Sequence, residues 1–263
     1  MLRDLLGLTL VAALCVAPIV RAQDQDKPKP DNAGQLTPVE KLRDLLKEYQ
    51  KAQEEFSEVY SKAKTDEERN KVFTEKYPNP EKFADRFLKL AADHPKDTAA
   101  IDALVWTATN AMYGPSGRKA LEVLARDHIA SPKMAEICAR LVYMPGDQAP
   151  KLLRKLIAEN QHTEVKAQAT MALAQNMLRS GQADEAQVKE AEALLEEVVA
   201  KFADVKSFQG TLGEAAKSEL FELRNLAVGK VAPEIQGDDI DGKPMKLSEF
   251  RGKVVVLDFW GHW

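Results

Sequence analysis

Across residues 37–227 one pattern governs the chain: apolar side chains return every three or four positions, and the runs are cut by Gly, Pro or Asn. That spacing lays the apolar groups along one face of an α-helix and leaves no alternating stretch from which to build a sheet. The first helix opens at Thr37-Pro38-Val39-Glu40, a capping box with proline in the first helical position. It continues with Leu42, Leu45, Leu46, Tyr49, Phe56, Val59 and Tyr60 on one face. Further helices are expected at 66–77, 80–92, 97–113, 115–127, 132–143, 148–159, 163–180, 184–202 and 214–227, each bounded by a breaker. In the helix expected at 80–92, Phe83, Phe87, Leu88 and Ala91 point inward. Helices joined by short turns predict a mainly α fold, either a helical hairpin array or a bundle.

Nothing in this helical part composes a catalytic constellation. His94, His128 and His162 are scattered without metal-ligand spacing, so each reads as a surface or capping residue, and Trp106 shares a core face with Ile101, Leu104 and Val105. Cys138 falls on a helical stripe with Met134, Leu141 and Val142 and reads as a buried structural thiol. Within 166–205, Ala172, Leu173, Ala174, Leu178, Gly181, Ala191, Leu195, Val198 and Phe202 resemble a tetratricopeptide unit, although the spacing from Gly181 to Ala191 is too long for the regular pattern. An irregular helical bundle stays open beside it.

Past residue 228 the pattern changes. Ala232-Pro233-Glu234-Ile235 leads into two short β-capable runs around the turn dipeptide Asp241-Gly242, and the connector Leu247-Ser248-Glu249-Phe250-Arg251-Gly252-Lys253 follows. Residues 254–260 are then apolar except for Asp258, which suits a central strand buried on both faces. In this order the pieces resemble the opening of the thioredoxin-like redoxins, especially the TlpA/ResA group related to the AhpC/TSA proteins. The resemblance implies an incomplete α/β thioredoxin-like domain over 228–263, begun by a β-hairpin and a central strand.

It also implies thiol-disulfide exchange with protein thiols or disulfides and a thiol reductant, without a cofactor. In that family a Cys-x-x-Cys pair follows the second tryptophan, so the reactive position is expected directly after Trp263, with no nucleophile in the chain itself. Phe259, Trp260, His262 and Trp263 would flank it, His262 as a modest tuner. Asp258 would lie beneath the resolving thiol and relay its proton, a role that burial would favour by raising its pKa. Strand alternation places Asp258 with Val254, Val256 and Trp260. A UGA codon read as selenocysteine is one expected cause of a stop at this position, and a nonsense mutation, a gene-model error and a cut fragment are others. Two further readings differ in kind: a non-enzymatic helical module that binds a protein partner, and a thiol peroxidase of the same superfamily, whose reactive cysteine usually has a Pro/Thr-rich setting unlike this one.

Residues 1–22 read as a secretory signal peptide, with Arg3 ahead of an apolar core and cleavage near Ala22; a retained anchor is the alternative. A Pro-rich, charged linker follows at 23–36. An extracytoplasmic, periplasmic or secreted location follows from this reading, with no membrane contact beyond the signal segment. Removal of residues 1–22 changes the net charge from −4 to −5, which offers no footprint for nucleic acid.

Overall fold

The computed structural model describes residues 36–179, 183–207 and 209–260. The expected signal segment and most of the linker after it lie outside these residues, as do Gly181, His262 and Trp263. Among the described residues the chain is mainly α-helical, with one small antiparallel hairpin near its end. No helix among them is long and apolar enough to cross a membrane.

The helices are α1 (Pro38–Lys62), α2 (Asp66–Lys76), α3 (Glu81–Asp93), α4 (Thr98–Asn110), α5 (Pro115–Asp127), α6 (Ala135–Leu141, preceded by the 3-10 turn Pro132–Met134), α7 (Gln148–Glu159), α8 (Thr163–Arg179), α9 (Glu185–Lys201) and α10 (Leu212–Asn225). Their starts follow from local chemistry. Thr37, Thr65, Asp184 and Thr211 each accept from the backbone three residues on, and Glu40, Glu68, Gln187 and Glu214 return the bond. Packing follows chain order: α3 on α4, α4 on α5, α7 on α8, α8 on α9 and α9 on α10, with α6 also against α8 and α1 against α3. One continuous core results, from Leu42 and Leu45 through Phe87, Leu124, Ile137, Leu153 and Leu173 to Leu195 and Leu220. Each such side chain contributes about 1.5–3 kcal/mol on burial.

Buried polar groups tie neighbouring layers together. The Asn176 amide of α8 donates to the carbonyls of Leu141, Val142 and Met144 at 3.0, 3.0 and 3.1 Å, satisfying the open end of α6. Asn160 donates to Ile129 and Ser131 while its carbonyl accepts from the His162 backbone. Gly114 gives α5 no side-chain cap, and Glu81 of α3 takes that place, accepting from the Ser116 N–H at 2.8 Å. His94 and His128 sit at the C-caps of α3 and α5, and the His162 carbonyl accepts from Lys166 in the first turn of α8, all termini as the sequence suggests.

The first helix departs from expectation. Leu42, Leu45 and Tyr49 are buried, but Leu46, Val59 and Tyr60 are exposed. Leu46, between the buried Leu45 and Tyr49, lies on the flank of the buried stripe, whereas Val59 and Tyr60 are exposed because a helix of 25 residues runs about 37 Å, beyond what α3 and α4 cover. Its outer half packs on α2, which has no buried residue and is held by rings: Phe56 against Phe73 and Tyr77, and Phe73 stacked on Tyr77 at 4.8 Å. Trp106 is half-buried against the core rather than within it, stacked on Phe87 and edge-on to Tyr49.

Candidate functional site

After α10 the chain forms β1 (Gln236–Asp238) and β2 (Pro244–Lys246), paired antiparallel with Gly237 opposite Met245. The connection is set by Asp239, whose carboxylate accepts from the Asp241 and Lys243 amides at 2.9 Å each. Gly242 takes the left-handed conformation at φ 77°, where a side chain would be strained. Asp241-Gly242 therefore acts as the turn its composition suggests.

The connector winds into a 3-10 turn, Leu247–Phe250, tied back to the lead-in segment twice. The Leu247 N–H donates to the Ile235 carbonyl, and the Ser248 N–H donates to the Glu234 carboxylate at 2.9 Å. Bonds from the side chain and backbone of Ser248 hold the Glu234 carboxyl below its usual range. Glu234 thus fixes the segment before the hairpin onto the segment after it. Gly252, at φ 83°, then turns the chain into the apolar run.

That run corrects an expectation. Residues 254–260 form no strand: the sheet among the described residues is made of β1 and β2. A buried central strand needs a ladder on both edges and cover on both faces, and the hairpin supplies neither. Alternation is nevertheless visible. Val255 and Leu257, 41% and 49% exposed, line a small cavity of about 240 Å³ with Ala232, Leu247 and Phe250, whereas Val254 and Val256 are 98% and 88% exposed. Asp258 lies in the exposed run that follows, with no cover among the described residues, and Phe259 and Trp260 are exposed beside it. Asp258, Phe259 and Trp260 are thus neighbours in sequence and are not gathered into a formed site.

Cys138 belongs to a different environment. It lies on α6 at 0% exposure, and its thiol donates to the Met134 carbonyl at 3.3 Å. Burial pushes its pKa up to about 12, so the thiolate is absent at neutral pH and the group is inert as a nucleophile. The structural reading from its helical stripe is the correct one. No group of His, Cys, Asp and Glu among the described residues could hold a metal ion.

What the residues 228–260 do possess is a hairpin, a connector and a lead-in knitted by Glu234 and Asp239. Stretches of this chain are similar to ResA. A 42-residue stretch is 45% identical to the thiol-disulfide oxidoreductase ResA of Geobacillus thermodenitrificans, covering 16% of this chain and 24% of the relative. The ResA of Geobacillus kaustophilus is 47% identical over 42 residues, with the same shares. The ResA of Bacillus cereus ATCC 10987 is 38% identical over 56 residues, 21% of this chain and 28% of the relative. The chain thus spans about a quarter of the length of these relatives. No family profile matches it, and no solved structure does.

The features that sequence reasoning missed are contacts between distant positions. Asn176, Asn160 and Glu81 look like ordinary polar residues of exposed faces or breaks, and each satisfies backbone groups 29 to 35 residues away. A weak signal exists for one of them: Gly114 cannot cap its own helix, so some other side chain must.

Proposed function

We propose that this chain belongs to an extracytoplasmic thiol-disulfide oxidoreductase in which a helical domain, 37–227, precedes the opening of a thioredoxin-like domain, 228–263. The observation that carries the reading is the 38–47% local identity to ResA relatives, taken with the redoxin-like order of lead-in, hairpin and connector. In this reading the matched stretch takes in the 228–263 segment, Asp258 is the proton relay, and Phe259, Trp260, His262 and Trp263 flank the reactive position that the family places directly after the second tryptophan. Protein disulfides are the substrates and a thiol reductant the electron source. The chain contains two cysteines, Cys15 and Cys138, and the first falls in the expected signal segment, so the attacking and resolving groups are not among its 263 residues.

The purified 263-residue chain is therefore expected to show no disulfide reductase activity. Insulin reduction with dithiothreitol is the measurement. Turnover above the chemical background that disappears in Cys138→Ser moves the active site into the helical part and overturns the reading. The transcript beyond the Trp263 codon is the second arm. An in-frame cysteine three positions after a UGA or a cysteine codon, within a thioredoxin-like reading frame, is the expected result. Secretion with cleavage before Gln23, read by N-terminal sequencing, tests the location.

A second reading, a helical module that binds a protein partner, is favoured by a groove on α8 and α10 and is compatible with the first.

A further inference from the structure

α8 and α10 both pack on α9 and touch each other, and a groove of about 740 Å³ opens between them. Leu178 of α8 and Leu223 of α10 line it, together with Leu226, 55% exposed just past the end of α10. Glu219 and Glu222, one helical turn apart, form its polar edge. The cation on the lining is Arg179, whose guanidinium lies 5.5 Å from the centroid of the Tyr143 ring. Glu219 accepts from Gln175, while the Glu222 side chain has no ion pair or hydrogen bond among the described residues. The groove therefore offers apolar surface beside negative charge.

We propose that this groove binds a polypeptide segment with an apolar face and lysines or arginines beside it, and that it recruits client chains to the redox domain. The second half of this statement rests on the oxidoreductase reading. Three observations select the occupant. Charge complementarity asks for a basic partner. The chain's own segment 228–260 contributes no residue to the lining and carries a net charge of −1. A second copy is disfavoured by size: a stable dimer buries about 800 Å² per partner, whereas this groove accepts a few side chains. Position adds a reason for the link to the tail. Six residues separate Ala227, at the rim, from Glu234 in the lead-in of the redoxin-like segment, so a bound client lies within about 25 Å of that lead-in.

The test uses the full chain and two fluorescein-labelled amphipathic peptides of about 14 residues, four helical turns, one of leucine and lysine and one of leucine and glutamate. Fluorescence anisotropy is expected to show binding of the lysine peptide, weakened by salt, and little binding of the glutamate peptide. Glu222→Gln should weaken the lysine peptide by roughly two- to fivefold, the range for an exposed charge pair. Leu223→Ala with Leu226→Ala should abolish binding, with circular dichroism confirming an intact helical fold. Equal binding of both peptides, or affinities unchanged in both variants, overturns the proposal. So does light scattering that shows a dimer broken by the double leucine variant, since the groove is then covered by a second copy. The redox link is read separately, from the transcript beyond the Trp263 codon: a frame with no downstream cysteine removes that link and leaves the binding result standing.

Discussion

At the scale of single residues, Cys138 and Asn176 show how the same burial silences one group and commits another. In a Cys15→Ser chain the Cys138 thiol should not react with Ellman's reagent at pH 8 until the protein is unfolded in guanidinium. Its titration also has a thermodynamic sign. The folded pKa of about 12 lies above the ordinary 9.0, so above pH 9 the unfolded chain loses a proton that the folded chain keeps. Stability from this group is complete below pH 9 and falls as pH rises towards 12, by up to about 1.4 kcal/mol per pH unit. Urea titrations of the parent and Cys138→Ala across that window should differ by this slope, and parallel curves would refute it. Asn176 carries the opposite kind of cost. Replacing it with alanine removes the amide that three buried carbonyls at and just beyond the end of α6 share, leaving Leu141's with the Met144 N–H and the other two without this donor, which should cost about 1–3 kcal/mol in the same titration.

Among the elements, α2 and the run at 254–260 are the least supported, for different reasons. α2 buries no residue and meets the rest of the fold through its rings on α1, so its amides should exchange far faster than those of α4 or α8. Phe73→Ala should erase protection of α2 while changing global stability by less than about 1 kcal/mol. Residues 254–259 have no ladder and should show no slow amides in the monomeric 263-residue chain; strong protection there would mean that they pair or dock elsewhere. The helices themselves were legible in the sequence because their signals are local. The bounds expected for α5 and α7 are those observed, and Thr37-x-x-Glu40 is the capping box it looks like. The strand expected over 254–260 was not legible in this way, since a strand is defined by partners that the run does not contain. Val59 and Tyr60 fit the helical stripe and are still exposed, because periodicity reports which face is apolar and not how far along a helix the core extends. The hairpin was readable from Asp241-Gly242, and the Asp239 bonds that fix it were not.

Over the whole molecule, stability resides in the helices, with the C-terminal segment adding little. Deleting residues 228–263 should shift the melting temperature by no more than about 2 °C, a difference calorimetry resolves, because residues 228–260 bury little apolar surface. The candidate site was readable as a family likeness and not as a geometry, since Asp258 and Trp260 lie on a largely exposed run outside any strand. The interhelical arginine bonds have a consequence of a mechanical kind. Arg86 reaches Glu48 from α3 to α1, Arg154 reaches Glu190 from α7 to α9, and Arg224 reaches Glu192 and Glu196 from α10 to α9, so each fastens near neighbours in chain order and none spans the array. Pulled by its two ends, such a chain behaves like a row of snaps and not like a single lock. It should yield in small successive steps from the outside inward, α10 and the α1–α2 arm first, with the layers around Asn176 the last to let go.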